Sequence, residues 1–531
     1  MSEVSATWVE ALKDPTCYPH PVSQVTLVET HISWVVLTGE YAYKIKKPVA
    51  FSFVDFSTLG KRQWFCEEEV RLNRRLAPDV YLGVVPLTGS ASAPQMDGPG
   101  EPFEFAVKMK QFSPDHELHQ LLLTGEGHER LFYQLADRIA KFHGQIESVE
   151  ATSPFGNSAM VWRPMGECLD EIPLHVLSPS TQEQLMEVRA WAKREWSSLQ
   201  EDFTMRKNTG HVRECHGDLH AGNITLFEGD PCVFDALEFD PRLRWIDVMS
   251  EVAFFVMDLQ KKGRAHLAWY FLNRYLEVTG DYRGMVVFRF YQVYRALVRA
   301  KVAGLRLEQL KKGSHDWART HQELIEYLNL SFRLIRPSSP ILILMHGVSG
   351  TGKTTVSTEV LKALSALRVR SDVERKRRDG EEKRRGFEQE EGMGLYTPTI
   401  TQATYEHLLD LANILLRAGY SVVVDATFLC LAQRTPFIEL AHNLQLSWTI
   451  LDIWAPKQVI RHRIQERTHE GQDASDATIS VMEQQQETVE SLTEEERPHA
   501  IRVDSTDGQA VQRAITRLRD LREPFIRQGR S

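Results

Sequence analysis

Apolar and polar positions follow two different patterns on either side of residues 336–340. In residues 24–47 they alternate through QVTLVET, SWVVLTG and YAYKIKK, which predicts the strands of a half-buried hairpin. Beyond residue 340 the apolar runs are continuous, as in ILILMH and GYSVVVDAT, and such runs are typical of buried parallel strands. The change of pattern predicts two domains of different architecture.

The predicted boundary is the short Pro/Ser linker at residues 336–340, which follows helical segments that continue to about residue 333. Residues 1–335 are predicted to form an α+β domain. Residues 341–531 are predicted to form an α/β domain with a doubly wound parallel sheet, because apolar strands alternate with helices. At 531 residues the chain is also too long for a single hydrophobic core.

Composition and charge favour a soluble globular protein, with 42% apolar and 25% charged residues. The net charge of -9 argues against an overall nucleic-acid-binding surface, although it is compatible with a local basic patch.

The six cysteines are scattered without a CxxC pair, and we expect reduced thiols. The N-terminus lacks the basic and apolar regions of a signal peptide, and no uncharged apolar run is long enough to span a bilayer. We therefore expect a cytoplasmic protein without a membrane partner, and we make no prediction of its oligomeric state.

The first candidate catalytic residues lie in the run HGDLHAGNI at residues 216–224. It contains His-x-Asp-x-x-x-x-Asn, the spacing of the loop that kinases use for phosphoryl transfer. One carboxylate must accept or orient the attacking hydroxyl, and one amide must hold a metal ion that clamps the phosphates. Asp218 is suited to the first role and Asn223 to the second. Asp235 follows an apolar strand and is the candidate for a second metal-binding carboxylate.

A kinase-type site also needs a lysine that contacts the ATP phosphates and a glutamate that holds this lysine. Lys44, on the predicted strand YAYKIK, is the candidate, and Lys46 points to the same face of the strand and competes with it. On the following helix, Glu69 is the candidate partner and Glu68 the second choice. The alternative interpretation is that both lysines are solvated residues of an edge strand.

HGDLHAGNI and VFDALEFD together resemble the aminoglycoside phosphotransferase and choline kinase family, over roughly residues 20–330. The resemblance implies a bilobal, protein-kinase-like fold. It also implies that Asp218 is the catalytic base, that Asn223 and Asp235 bind magnesium, and that Lys44 binds the ATP phosphates. The segment ETHI before SWVVL contains no glycine, so the Gly-rich cover of protein kinases is missing. This departure disfavours a protein kinase more than it disfavours ATP binding.

The second group of candidate residues lies in GVSGTGKT, between the apolar run ILILMH and a helical segment. This is GxxxxGKT in the strand-to-helix context of a P-loop. The glycines let backbone N–H groups surround the phosphates, Lys353 adds a charge near the β- and γ-phosphates, and Thr354 offers a hydroxyl to Mg²⁺. The predicted ATP-binding residues here are Gly347, Ser349, Gly350, Thr351, Gly352, Lys353, Thr354 and Thr355.

Further candidates lie downstream of the P-loop. Asp425 ends an apolar strand at the position of a Walker-B-like metal ligand. Asp372 follows the strand expected after the P-loop helix, where an acid can orient the acceptor hydroxyl as a catalytic residue; the alternative is a helix N-cap. Arg461, Arg463 and Arg467 recur on one segment, and small P-loop kinases carry such arginines on a closing lid. Of these we take Arg463 and Arg467 as ATP-binding candidates, with a solvated helix face as the alternative.

These features resemble the zeta-toxin, gluconate-kinase and polynucleotide-kinase group of P-loop kinases, with an AAA-type ATP-binding motif, over about residues 340–525. The resemblance implies a kinase but does not specify its acceptor. Residues 368–385 contain nine basic and five acidic residues. This run is suited to a phosphorylated or nucleic-acid substrate, or alternatively to a solvated surface.

We therefore expect a bifunctional ATP-dependent phosphotransferase that transfers the γ-phosphoryl group to hydroxyls of small molecules, with Mg²⁺ as cofactor. In one alternative, one of the domains is a regulatory ATP-binding module. In the other, the P-loop domain phosphorylates the 5′-hydroxyl of nucleotides or nucleic acids, a partner that the acidic net charge does not favour.

Overall fold

The computed structural model describes residues 7–51, 54–126, 128–384, 397–470 and 478–522, and within these ranges the side chains at 7, 381–384, 398 and 467–470 lie outside the description. The chain divides into two compact units. The first comprises Met1–Pro164 with Phe203–Asp258, and the second comprises Met165–Asp202 with Leu259–Ser531.

An antiparallel six-stranded sheet in the order β1-β2-β3-β8-β6-β7 forms the early part of the first unit. On β3, Tyr43 and Ile45 pack into a core cluster with Val36 and Leu87. The intervening lysines therefore point to the opposite face, as the two-residue period of a strand requires. The strands are β1 (Thr26–Glu29), β2 (Ser33–Leu37), β3 (Tyr41–Lys46), the β4–β5 hairpin (Ala50–Phe51 and Val54–Asp55), β6 (Tyr81–Ser90), β7 (Ala93–Met96) and β8 (Glu104–Lys110).

Helix α2 (Leu59–Asn73), which follows a short α1 (Thr7–Ala11), carries the predicted glutamates. Thr58 is its N-cap, and the side chain of Thr58 accepts a hydrogen bond from the backbone N–H of Lys61 at 3.3 Å. Cys66, Val70 and Glu69 are buried on the helix. Because Glu69 shares a buried position with apolar neighbours, its charge must be matched within the protein.

Short strands flank the run 216–224, and helices precede and follow it along the chain. β10 and β11 form an antiparallel hairpin, and β9 pairs antiparallel with β12. The strands are β9 (Val212–Glu214), β10 (Ile224–Phe227), β11 (Asp230–Val233) and β12 (Trp245–Asp247). The helices are α3 (Leu118–Thr124), α4 (Glu129–Gln145), α5 (Ser158–Glu171), α6 (Pro179–Ser198), α7 (Gln200–Asn208), α8 (Pro241–Arg244) and α9 (Val248–Lys261).

Three long helices precede the Pro/Ser linker: α10 (Ala265–Thr279), α11 (Met285–Gln309) and α12 (His315–Leu334). They belong to the second compact unit, together with the residues that follow the linker. In this unit α10 packs against the P-loop helix α13 (Lys353–Leu364) and against strand β14 (Leu367–Arg370). The limits of the two compact units therefore differ from the position at which the sequence pattern changes. The domain limits inferred from the sequence stay a prediction.

A five-stranded parallel sheet in the order β14-β15-β13-β16-β17 forms the rest of the second unit. The edge strand β17 was not predicted from the sequence. The remaining strands are β13 (Ile341–His346), β15 (Val422–Asp425), β16 (Ser447–Trp454) and β17 (Ala500–Asp504). The remaining helices are α14 (Ser371–Arg384), α15 (Pro398–Arg417), α16 (Leu431–Asn443), α17 (Lys457–Glu470), α18 (Ile479–Thr488) and α19 (Gly508–Arg522).

All six residues of the central strand β13 are buried, in agreement with its continuous apolar run. Ile343 packs in one cluster with Val423, Leu451 and Val503 from neighbouring strands. The P-loop follows the carboxyl end of β13, and Asp425 ends β15 beside it. This edge of a parallel sheet is where α/β proteins bind ligands.

None of the described helices is both long enough and apolar enough to cross a bilayer. The six cysteines are free thiols, and five of them are buried.

Replacement of a central-strand side chain tests this core. We expect Ile343→Ala to lower the free energy of unfolding by about 2–5 kcal/mol, because it leaves a cavity among fully buried side chains. Chemical denaturation of the full chain measures the change. The matched control is Leu431→Ala, since Leu431 is 40% exposed; we expect a change within about 0.5 kcal/mol. Equal effects of the two substitutions would contradict the assignment of β13 to the centre of the sheet.

Candidate active sites

The run 216–224 folds into a loop that places Asp218 beside Asn223. Gly217 has φ 90°, and a Cβ at this position would lie 2.9 Å from the carbonyl oxygen of Leu243, so the turn requires glycine. The Asn223 amide Nδ2 donates to Asp218 Oδ2 and to the Asp218 carbonyl, each at 3.0 Å. The side chain of Asp218 is 29% exposed, and His220 Nε2 lies 3.4 Å from its Oδ2. The two residues predicted to act on the hydroxyl and on the metal are thus in direct contact.

His216 stabilises the same loop through two hydrogen bonds. Its Nε2 donates to the carbonyl of Phe234 at 2.9 Å, and its Nδ1 accepts from the backbone N–H of Asp218 at 3.3 Å. Only a neutral imidazole can do both. Burial lowers the pKa of His216, despite the opposing charges of Glu251 and Asp218, and so favours this neutral form.

A buried carboxylate that the sequence did not reveal provides a second support. Glu251 on α9 accepts from the backbone N–H of Gly217 at 2.6 Å and from His143 Nε2 at 2.8 Å. Burial opposes its charge, but the hydrogen bond and charge of His143 outweigh burial and lower the pKa of Glu251. His143 thus stabilises the loop through Glu251. Asp258 adds a third support, since it accepts from the N–H of Ala221 at 2.9 Å.

Asp235 lies two residues after the end of β11, and its side chain contacts β3. Its φ of 62° is in the left-handed region, and its N–H donates to Tyr81 Oη at 3.1 Å. Lys44 Nζ contacts Asp235 Oδ1 at 2.6 Å and Glu69 Oε1 at 2.9 Å. Burial disfavours the charged lysine, but Asp235, Glu69 and Glu238 outweigh it and hold the pKa of Lys44 well above its ordinary value. The structure thus joins the predicted phosphate lysine to a predicted metal ligand.

Lys46, the predicted competitor, occupies a different environment. It is fully buried, contacts Glu69 Oε2 at 2.8 Å and forms a short contact with Glu238. Its pKa is raised, because the charges of Glu238 and Glu69 outweigh burial. Glu69 therefore forms ion pairs with both lysines. Neither is a solvated edge residue, because β3 lies between β2 and β8.

Three further acids of the first unit have defined partners. Glu68, the second choice for the lysine partner, forms ion pairs with Arg71 and Arg244 at 2.7 and 2.9 Å. Glu238 is buried against Lys46. Asp240 caps a turn, since its Oδ1 accepts from the N–H of Arg242 at 2.9 Å.

In the second unit the P-loop curls around the carboxyl end of β13. Gly347, Gly350 and Gly352 have φ values of 136°, 84° and 93°, and a Cβ on Gly347 would lie 2.4 Å from the carbonyl of Ile453. These positions therefore require glycine. Lys353 Nζ donates to the carbonyls of Gly347 and Val348 at 2.8 and 2.9 Å.

The P-loop opens on a cavity of about 780 Å³, a size typical of small-molecule sites. Several predicted residues line it together: Ser349, Gly350, Gly352, Lys353, Thr354, Thr355, Asp372, Asp425 and Arg463. Gly347 and Thr351 lie within the loop itself, and the Thr351 hydroxyl donates to the Val348 carbonyl at 2.9 Å.

The acids and arginines of this cavity occupy distinct positions. Asp425 is buried, and its Oδ2 accepts from the Ser357 hydroxyl at 3.1 Å. Asp372 lies in the first turn of α14 and contacts Arg375 Nη1 at 3.2 Å. Arg463 Nη1 donates to the Thr351 carbonyl at 3.2 Å and to Ser505 Oγ at 2.9 Å. By contrast, Arg461 forms an ion pair with Glu483 and is half-exposed.

Some cavity residues were missed by sequence reasoning, and one prediction has no side-chain description. Arg370 and Arg375 line the cavity beside Asp372, and Tyr405 lines it from α15. The arginines could have been found from their spacing around Asp372, whereas Tyr405 gave no local signal. The side chain of Arg467 lies outside the described residues, so its role in ATP binding stays a prediction.

Family models match each of the two regions that contain these sites. The model of the phosphotransferase enzyme family matches residues 67–288, and that of an AAA domain matches residues 342–492. An uncharacterized protein of Mycobacterium tuberculosis and one of Mycobacterium bovis are each 31% identical to this chain over 422 residues, covering 78% of this chain and 81% of theirs. The chain belongs to the same family as these mycobacterial proteins. It joins a kinase-like phosphotransferase domain to a P-loop kinase-like domain, which confirms both resemblances found in the sequence.

Solved structures that match part of the chain include a choline/ethanolamine kinase family protein from Mesorhizobium loti, with 9% identity, a TM-score of 0.36, and coverage of 62% of this chain and 97% of that one. A gluconokinase from Sinorhizobium meliloti 1021 has 20% identity, a TM-score of 0.27, and coverage of 36% and 98%. Because these scores are low, we draw no inference about substrate from them.

The two lysines of β3 can be separated by substitution. We expect Lys46→Met to lower the free energy of unfolding by about 3–5 kcal/mol, because it leaves buried Glu238 without its cation. Lys44→Met should cost less stability, since Glu69 keeps Lys46, but it should abolish phosphoryl transfer at this site. Denaturation and transfer assays measure both effects, and Lys61→Met, in an exposed pair with Asp55, is the control. If Lys46→Met were as stable as the parent chain but inactive in phosphoryl transfer at this site, the roles of Lys44 and Lys46 would be reversed.

The neutral His216 predicts a pH dependence of stability. The folded state holds the pKa of His216 below its ordinary value of about 6.5, so the unfolded chain binds more protons as the pH falls through that value. The free energy of unfolding should therefore decrease below about pH 6.5, and His216→Gln should remove part of this decrease. Thermal unfolding between pH 5.5 and 7.5 measures it, and His128→Gln, at an exposed position, is the control. An unchanged pH dependence in His216→Gln would refute the conclusion that a neutral His216 stabilises the loop.

Proposed function

We propose that the chain is a bifunctional ATP-dependent phosphotransferase, and that each domain transfers the γ-phosphoryl group of ATP to a hydroxyl of a small molecule. The observation that carries the proposal is the presence of two separate sites that each combine a cation for phosphates with carboxylates suited to metal and hydroxyl. In the first unit these are Lys44, Asp235 and Asp218. In the second they are Lys353 and Asp425 with Asp372.

In the first site, Asp218 would accept or orient the proton of the acceptor hydroxyl. Its hydrogen bond from Asn223 keeps the carboxylate in place and leaves the amide oxygen of Asn223 as a metal-ligating atom. Asn223 and Asp235 offer the oxygen ligands that Mg²⁺ prefers, so the donor set fits this ion. Bound Mg²⁺ would neutralise phosphate charge. Lys44 would move from Asp235 towards the phosphates, while Glu69 keeps it oriented.

In the second site, the backbone of the P-loop and Lys353 would hold the phosphates. Thr354 and Asp425 form the hydroxyl and carboxylate set that suits Mg²⁺. Asp372 would orient the acceptor hydroxyl, and its ion pair with Arg375 holds the carboxylate in place. Arg463, with Arg467 as a further candidate, would contact transferred phosphate. In both sites positioning and charge neutralisation provide the catalysis.

Several finer descriptions belong to the same proposal. They are a bilobal first domain, a doubly wound second domain, small-molecule acceptors as partners and a cytoplasmic location. The six free cysteines support the location. The acidic net charge supports small acceptors over nucleic acid.

Two variants of the full chain show how much of the phosphoryl-transfer activity belongs to each site. We expect Asp218→Asn to lower transfer at the first site by about 10²–10⁴-fold, the usual contribution of a general base. Lys353→Met should abolish transfer at the second site, and the double variant should consume no ATP. The readout is ATP consumption and mass-detected phosphorylated product over a panel of hydroxyl compounds that includes 5′-hydroxyl oligonucleotides.

Matched controls are Asp230→Asn on the β10–β11 hairpin and Lys362→Met on the P-loop helix, both outside the two sites. If one of the two site variants leaves every transfer unchanged, its domain is a nucleotide-binding regulatory module and the bifunctional proposal is wrong. Label transfer to an oligonucleotide end that Lys353→Met abolishes would instead identify a nucleic-acid kinase.

A further inference from the structure

A carboxylate from outside the predicted P-loop domain lies close to the P-loop site. Glu277 is on α10, which precedes the Pro/Ser linker, and it is buried within the second compact unit. Its Oε1 accepts from Arg368 Nη2 at 2.7 Å and from Nε at 3.2 Å. Its Oε2 lies 3.8 Å from Arg370 Nη1. Glu277 therefore faces two arginines of strand β14.

Arg368 connects this carboxylate to the first turns of the P-loop helix. Its Nη1 donates to the Thr354 carbonyl at 3.2 Å, to Ser357 Oγ at 3.1 Å and to Thr358 Oγ1 at 2.8 Å. Ser357 Oγ in turn donates to Asp425 Oδ2 at 3.1 Å. A continuous set of polar contacts thus runs from Glu277 to the carboxylate proposed to bind Mg²⁺.

Arg370 lies between two carboxylates. Its Nε is 4.0 Å from Asp425 Oδ2, and its Nη1 is 3.8 Å from Glu277 Oε2. Both carboxylates and the guanidinium are largely buried, so their interactions are weakly screened by water. A change in the charge of Glu277 must therefore change the electrostatic field at Asp425.

The backbone around these arginines is held by the same helix. Asn273 on α10 donates to the Ala366 carbonyl at 2.9 Å and accepts from the Arg368 N–H at 2.6 Å. Tyr282 Oη donates to the Arg368 carbonyl at 3.4 Å. Burial opposes the charge of Glu277, but Arg368, Arg370 and Arg274 outweigh it and lower its pKa, so it is ionised at neutral pH. The charge is thus present and fixed in position.

We propose that Glu277 is a positioning residue of the P-loop site: it neutralises Arg368 and Arg370 and so keeps Asp425 available as a ligand for Mg²⁺. The inference rests on the proposed function of the second site. It assigns part of that site to α10, a helix that the sequence places in the other domain. Without Glu277, the positive charge of both arginines would act on Asp425 and compete with the metal ion.

The test uses the full chain with Lys44→Met, which removes the lysine proposed to bind phosphate at the first site, so that ADP binding is measured at the P-loop site. Calorimetry gives the affinity for ADP in EDTA and the Mg²⁺ concentration that half-maximally strengthens ADP binding. In Glu277→Gln we expect this Mg²⁺ concentration to rise about tenfold, the size of effect that a neighbouring charge has on a carboxylate. The affinity for ADP in EDTA should stay equal or increase, because the site has lost one negative charge.

A compensating substitution separates this effect from a loss of structure. In Glu277→Gln/Arg370→Met the competing guanidinium is removed as well, and the Mg²⁺ requirement should return towards that of the parent chain. The matched control is Glu496→Gln, which removes the charge of another buried carboxylate, one paired with Arg434 at 2.7 Å outside the cavity. It should leave the Mg²⁺ requirement unchanged.

An unchanged Mg²⁺ requirement in Glu277→Gln would overturn the inference. So would an equal loss of affinity with and without Mg²⁺, or a shift that Arg370→Met does not reverse, because either result indicates a structural role only. If Glu277→Gln does not fold, Arg370→Met alone decides, since it should lower the Mg²⁺ requirement and a rise would refute the proposal. Absence of Mg²⁺-dependent ADP binding in the parent chain would instead refute the proposed function of the second site.

Discussion

The pairing of buried carboxylates with cations is the constraint on which both sites depend. Glu69 is fully buried, and a lone charge there would be strongly destabilising. It is matched by Lys44 and Lys46, which reach it from alternate positions of one strand. Because Glu238 shares Lys46, Lys44 is the lysine that remains near Asp235 and the catalytic loop. The burial of Glu69 thus determines the position of Lys44, the lysine proposed to bind phosphate.

The same constraint shows which parts of the site the sequence could predict. The two-residue period of β3 placed both lysines on one face, and helical spacing placed Glu69 opposite them. Glu238 and Glu251 could not be assigned in this way, because their partners are distant in sequence and no local pattern brings them together. Asp218 and Asn223 were found because their contact lies within one loop, where spacing alone determines proximity.

The fold was predictable to a similar extent. Continuous apolar runs revealed β13, β15 and β16, since a strand covered on both faces has no polar period. The edge strand β17, AIRVD, is short and has exposed positions, so its signal is weak. The Pro/Ser linker marked a change of pattern, but the packing of α10 depends on contacts such as Asn273 with Ala366, which join distant segments. The predicted boundary therefore marks a change of sequence pattern, and α10 packs against elements that lie beyond it.

In both sites the groups proposed to bind phosphate already have partners. Lys44 contacts Asp235 and Glu69, Lys353 donates to two carbonyls of its own loop, and Arg463 donates to Thr351. Such contacts keep each cation in place, and they limit the gain on binding because phosphate must replace them. The exchange favours phosphate where the replaced partner is a neutral carbonyl, as for Lys353. For Lys44 it requires that the charge of Asp235 be matched at the same time. The first site is therefore expected to depend more steeply on a divalent cation than the second.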